Sequence, residues 1–164
     1  MSQEIQPTDP ASSHQPPLRP TALMNFKKTD SELAKIVGAF WQLIWARKSP
    51  AIDQKTRYLL SLANAVGAGR FRQATRELVK AYAIGTTVEE LDELFSLFVW
   101  NQGAGTFASE IGPSSLFAAY QMAKEMEGNK ASRDEVTEAL KKHFGEGNPA
   151  VGTRYQPEER KETR

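Results

Sequence analysis

The 164-residue chain contains no cysteine. Disulfides, thiolate nucleophiles, iron–sulfur clusters and cysteine-ligated zinc are excluded with it. Histidine is scarce. His14 and His143 are the only two and stand far apart, so no histidine metal site can be read and no metal is expected. Long apolar runs are missing as well: no stretch reaches the roughly 18 apolar residues of a membrane span. The opening MSQEIQPTDPASSHQPP has neither the basic start nor the apolar run of a secretory signal. These absences lead to the expectation of a cytoplasmic protein with no membrane contact. An excess of either charge is lacking too, because 21 basic side chains face 20 acidic ones. A dedicated nucleic-acid binder needs a clear basic surplus, so nucleic acid is a disfavoured partner.

What is present reads as one helical domain between two polar ends. Residues 1–28 hold five of the nine prolines and many Ser, Gln and Thr, too little apolar surface to offset ordering. They are expected to form a flexible arm, with Leu18, Leu23, Met24 and Phe26 placed to pack on a partner subunit. Residues 146–164 are charged, contain Pro149 and Pro157, and read as a tail. The domain proper spans 29–145.

Within it the patterning predicts an all-α bundle of about six helices. The first runs from about Asp30 to Lys48, with Leu33, Ile36, Val37, Phe40, Trp41 and Ile44 at helical spacing. Leu43 and Trp45 widen that stripe, which predicts neighbours on two sides. Asp53 caps a second helix presenting Leu59, Leu62, Ala63 and Val66. A third spans Arg70 to Ile84, and Gly85 is placed as its terminating glycine. Thr87 and Glu90 have capping-box spacing for a fourth, Val88 to Asn101. Beyond Gly103 and Gly105, Pro113 starts a fifth, carrying Leu116, Phe117, Tyr120 and Ala123 and stopping at Gly128. Ser132 and Glu135 cap a sixth, with Val136, Ala139, Leu140 and Phe144 on its inner face. Period-2 alternation is absent, so strands are not expected. Twelve aromatic residues between Phe40 and Tyr120 exceed what one small bundle buries, and the surplus suggests self-association.

Three stretches carry a family resemblance: IDQKTRYLLSLANAVGAGRF, ELVKAYAIGTTVEELDELF and WNQGAGTFASEI, all within Ile52–Lys124. Their order and spacing resemble the carboxymuconolactone decarboxylase family, also called AhpD-like. The resemblance implies an AhpD-like helical bundle assembled as a homotrimer or homohexamer. It also implies a pocket where the third helix begins. The family's redox branch places a CxxC pair there, a histidine one turn on, and a glutamate on the preceding helix. In this chain Arg70 and Gln73 fall at the cysteine positions, Glu77 at the histidine and Tyr58 at the glutamate. Thiol peroxidase chemistry is excluded, since it needs a thiolate. The decarboxylase branch shares Gly69-Arg70 but keeps the histidine that Glu77 replaces.

Arg70, Gln73 and Glu77 share one helical face by their i, i+3, i+7 spacing. Arg70 could anchor a carboxylate. Glu77 could shuttle a proton, and Tyr58 could donate to an enolate oxygen. Trp100, Asn101 and Gln102 end the fourth helix, at a segment that the resemblance brings to the pocket. There Trp100 and Asn101 would contact a small carboxylate ligand. The expected activity is that of a cofactor-free lyase or isomerase on a small carboxylated lactone or keto acid. The alternatives are a non-catalytic binder or a structural oligomer. Arg72, Arg76 and Lys80 recur every four residues and, with Lys55 and Arg57, outline a basic stripe. That stripe is the basis of the competing nucleic-acid reading.

Overall fold

The computed structural model describes residues 22–145. They form α1 (Ala22–Thr29), α2 (Ser31–Trp45), α3 (Gln54–Gly67), α4 (Phe71–Ala83), α5 (Val88–Gln102), α6 (Ala104–Thr106), a π-helical turn (Phe107–Ile111), α7 (Ser115–Gly128) and α8 (Arg133–Phe144). No strand occurs among the described residues, and the chain is all-α. The six expected helices are α2, α3, α4, α5, α7 and α8. The additions are α1, inside the stretch read as an arm, and the short α6 with its π turn. Leu18, the side chains of Leu23 and Met24, and the tail 146–164 lie outside the described residues.

Local chemistry sets the helix ends. The Asp53 carboxylate accepts from the Thr56 N–H at 2.9 Å and starts α3. Thr87 and Glu90 bond reciprocally, at 3.2 and 2.9 Å, and start α5. Ser132 and Glu135 do the same for α8. Each pair satisfies donors that the first helical turn leaves open. Gly85, at φ +115°, closes α4: the Thr86 N–H reaches the Ala81 carbonyl and the Gly85 N–H the Tyr82 carbonyl. This paired closure places its left-handed residue at glycine, which has no Cβ to strain. The start of α7 differs from expectation. Ser114, not Pro113, is the cap, its hydroxyl accepting from the Phe117 N–H at 3.3 Å. A hydroxyl can satisfy that donor, and a proline ring cannot.

Helix α4 lies at the centre, against α3, α7 and α8. Leu78, Val79 and Tyr82 meet Leu62 and Val66 of α3, Leu91 and Phe95 of α5, Leu116 of α7, and Val136 and Leu140 of α8 in one core. On α3 the buried face is turned from the expected one. Leu62 and Val66 are inside as expected, but Ala63 is exposed and Tyr58 and Ala65 are buried instead. Part of the aromatic surplus is internal: Phe95 stacks on Tyr120 at 4.3 Å and meets Phe98 and Phe117 edge-on.

Helix α2 stands apart. It packs along α1, and none of its residues is buried. It meets the α3–α8 body through its C-terminal turn, at Ile44 and Trp45.

Candidate functional site

The first half of α3 runs alongside the second half of α4, because a short connection turns the chain back on itself. That arrangement brings Tyr58 opposite Glu77 and Lys80. All three are buried, Tyr58 to 1% exposure, Glu77 to 6% and Lys80 to 7%. Lys80 Nζ donates to Glu77 Oε1 at 2.8 Å. The same ammonium lies 5.1 Å from the centre of the Tyr58 ring and 5.5 Å from that of Trp45, within range for cation–π attraction. Trp45 roofs the group, stacked on Tyr58 at 5.1 Å with 20° between the planes.

Arg57 holds the roof. Its guanidinium lies 5.1 Å from the centre of the Trp45 ring and donates to the Trp45 carbonyl and to the Ile44 carbonyl. It also donates to Gln54 Oε1 at 3.2 Å.

Three polar atoms at this place are buried without a hydrogen-bond partner among the described residues: the Tyr58 hydroxyl, Glu77 Oε2 and Gln54 Nε2. Two are donors and one is a carboxylate acceptor. Such atoms are uncommon in folded proteins, because each costs the desolvation of an unpaired group. Burial pushes the Tyr58 phenol up to about 12; the Gln54 amide, near the phenol oxygen but outside hydrogen-bonding geometry, pulls the other way, the Glu77 charge adds to the rise and Arg57 opposes it. The phenol is therefore a neutral donor across the physiological range.

The other expected residues are placed differently. Gln73 is half-buried one turn before Glu77 on α4. Arg70, at the N-cap of α4, is exposed and makes no capping bond with its side chain. Trp100 is 84% exposed and Asn101 is exposed too. The end of α5 lies by the end of α3, where the Gln102 amide would be 3.9 Å from a Cβ on Gly67. Nine residues separate Gly67 from Tyr58, about 13 Å along a helix. The structure therefore joins Tyr58 and Glu77 in one buried cluster. Arg70, Trp100 and Asn101 lie in solvent toward the far end of α3.

The basic stripe is not a stripe. Lys80 is turned inward onto Glu77, and Lys55 pairs with Glu90 at 2.6 Å. The reason is packing: the last two turns of α4 have helices on several sides, so even their lysine is enclosed. Lys80 is the member of this buried cluster that the spacing argument missed. Its signal was its place beside Val79, Ala81 and Tyr82, an apolar surround that marks a central helix.

A shallow hollow lined by Ile44, Arg47, Pro50, Ala51, Ile52 and Arg57 adjoins the roof at the α2–α3 linker. No group of three or more potential metal ligands occurs among the described residues, and no helix there is long and apolar enough to cross a membrane. Comparison with protein-family models, with characterised proteins and with solved structures finds no match for this chain.

Proposed function

We propose that the chain is a cofactor-free acid–base enzyme, an isomerase or lyase, acting on a small enolisable carboxylate such as a keto acid or carboxylated lactone. The carrying observation is the trio of buried polar atoms without partners beside the Glu77–Lys80 pair. An enolisable carbonyl compound complements that trio. Its carbonyl oxygen accepts from Tyr58 and Gln54, and its acidic C–H faces Glu77 Oε2.

In isomerisation, Glu77 takes the proton from carbon and the C–H electron pair moves into the enolate. The Tyr58 hydroxyl steadies the new charge on oxygen, and Glu77 returns the proton to a different carbon. In decarboxylation the C–C pair feeds the same enolate, carbon dioxide leaves, and a solvent proton completes the product. Lys80 offers the cationic partner for the substrate carboxylate, the role expected of Arg70. Access follows from displacement of Trp45, since that ring covers the cluster. The resemblance to the carboxymuconolactone decarboxylase family points to the same substrate class.

The test is deuterium uptake from heavy water, with carbon dioxide release, across a panel of small keto acids and carboxylated lactones. A turned-over compound is expected to lose at least about 100-fold in rate with Glu77→Gln. Glu77→Asp, which keeps the charge beside Lys80, controls for folding. Turnover undiminished in a folded Glu77→Gln protein overturns the assignment of Glu77.

One observation favours a second reading, a non-catalytic structural role. Glu77 already has Lys80 as its partner and Trp45 as its cover, as a pair fixing helix register would. No turnover and no ligand-induced shift in unfolding temperature across the panel would favour it.

A further inference from the structure

Among the described residues nothing covers the apolar side of α2. Leu33, Ile36, Phe40 and Leu43 follow the spacing i, i+3, i+7, i+10, and Ile44 flanks them. Ile36, Phe40 and Leu43 are 67%, 62% and 64% exposed. The half-buried residues Ala34, Val37, Gly38 and Trp41 lie on a different side of the helix. Helix α1 packs along α2, so the open stripe is a second face.

We propose that a second copy of this chain covers that stripe. Three features select it. The alternating three-four spacing is the seam that pairs helix with helix, and no charged residue interrupts it. The body carries its own uncovered apolar residues, Leu60 on α3 with Leu97 and Trp100 on α5. Each copy therefore offers an apolar helix and also exposes apolar side chains on its body. Finally, the area fits. The α2 stripe alone exposes on the order of 500 Å², already near the largest patch usual on a monomer. With the body residues the total comes to about 1,000 Å² per copy, the scale of a stable protein–protein interface. A membrane surface fits less well, since Lys35 is the one basic residue within α2, whereas interfacial helices are rich in Lys and Arg.

The consequence reaches the site. Trp45 is the last residue of α2, and α2 meets the body through that turn. Seating α2 on another copy restrains the turn that carries Trp45, and so bears on how readily the roof over Tyr58 and Lys80 moves aside. The docking itself does not depend on the proposed chemistry.

The experiment is light-scattering mass measurement of the full chain at about 100 μM and after stepwise dilution, a range chosen to cover micromolar association. The wild-type chain is expected at a multiple of 18.3 kDa. Phe40→Glu and Ile36→Glu are each expected to shift it to a single-chain mass, with the helical circular dichroism retained. Both sites are exposed, so the fold of one chain survives the change. A wild-type chain that stays single throughout overturns the proposal, whether or not it floats with vesicles of mixed neutral and anionic lipid. So does an unchanged mass in both variants. A wild-type chain that assembles but turns over none of the panel compounds would count against the acid–base reading and leave the docking intact.

Discussion

Helices α2 and α4 are of similar length and have opposite fates. Helix α2 has 15 residues, of which only Ser31, Glu32, Lys35 and Gln42 are polar, and none is buried. Helix α4 has 13 residues, among them Arg72, Gln73, Arg76, Glu77 and Lys80, and eight are buried. Composition ranks them in the wrong order. What decides burial is the number of helices packed around each: α4 has α3, α7 and α8 along its length, whereas α2 has α1 along its length and the body only at its last turn. A central helix can carry charge if the charge is paired, as Glu77 and Lys80 are. An apolar helix left at the margin stays exposed however few polar residues it carries.

Breaking the pair in α4 gives the largest expected effect. Lys80→Met leaves Glu77 buried beside no cation and is expected to cost about 4 kcal/mol, measured by urea unfolding. Replacing both partners, Glu77→Leu with Lys80→Met, should recover most of that loss. A double variant no better than the single one would mean that the pair's geometry, not its charge, holds α4 in place.

Next comes a matched truncation in the two helices. Leu78→Ala in α4 removes a fully buried side chain and is expected to cost about 3 kcal/mol. Ile36→Ala in α2, on dilute single chains, should change stability by less than about 0.5 kcal/mol. An equal loss at both positions would show that α2 is covered within one chain and would erase the contrast.

The smallest effect expected is on the pH dependence of the body. Hydrogen bonds from the Thr56 side chain hold Asp53 below its usual 3.8; hydrogen bonds from Lys124 and Tyr120 do the same for Asp92. The Lys55 ammonium holds Glu90 below its usual 4.5. Groups depressed on folding add stability above their ordinary pKa and lose it as pH falls through the folded value. The urea midpoint should therefore hold from neutral pH down to the ordinary carboxylate range and decline below it. On the alkaline side Tyr58 works in the opposite sense. Its contribution is present below 10.0 and is lost as pH rises toward about 12. Tyr82 and Tyr120 are raised by burial as well, so ultraviolet titration should show several late-ionising phenols, one fewer in Tyr58→Phe. A midpoint that does not decline down to about pH 3 would contradict the acid arm.

The comparison also marks where sequence reading succeeds. Asp53, Thr87 with Glu90, Ser132 with Glu135, and Gly85 were legible because each acts within a few residues of its own backbone. Ser114 was masked by a neighbouring proline that also favours a helix start. The turn of α3 that buries Tyr58 and exposes Ala63 depends on the seat of α4, which no local pattern contains. Periodicity identified α2 as a helix but could not say what covers it, because a core face and a docking face share one spacing. The resemblance led to the expectation that Tyr58 faces Glu77, and the two side chains are buried side by side. Lys80 was assigned to a solvent stripe because a four-residue repeat of basic residues does not distinguish outside from inside.

The position of α2 in the chain matters during synthesis. Residues 31–45 leave the ribosome before any residue of α3 to α8, and the later body gives their stripe no lasting cover. Under the proposed self-association, neighbouring nascent chains on one message are the nearest source of cover. Assembly can then begin while translation continues, and a dilute, slowly translated message leaves this segment open longest to chaperones and to aggregation.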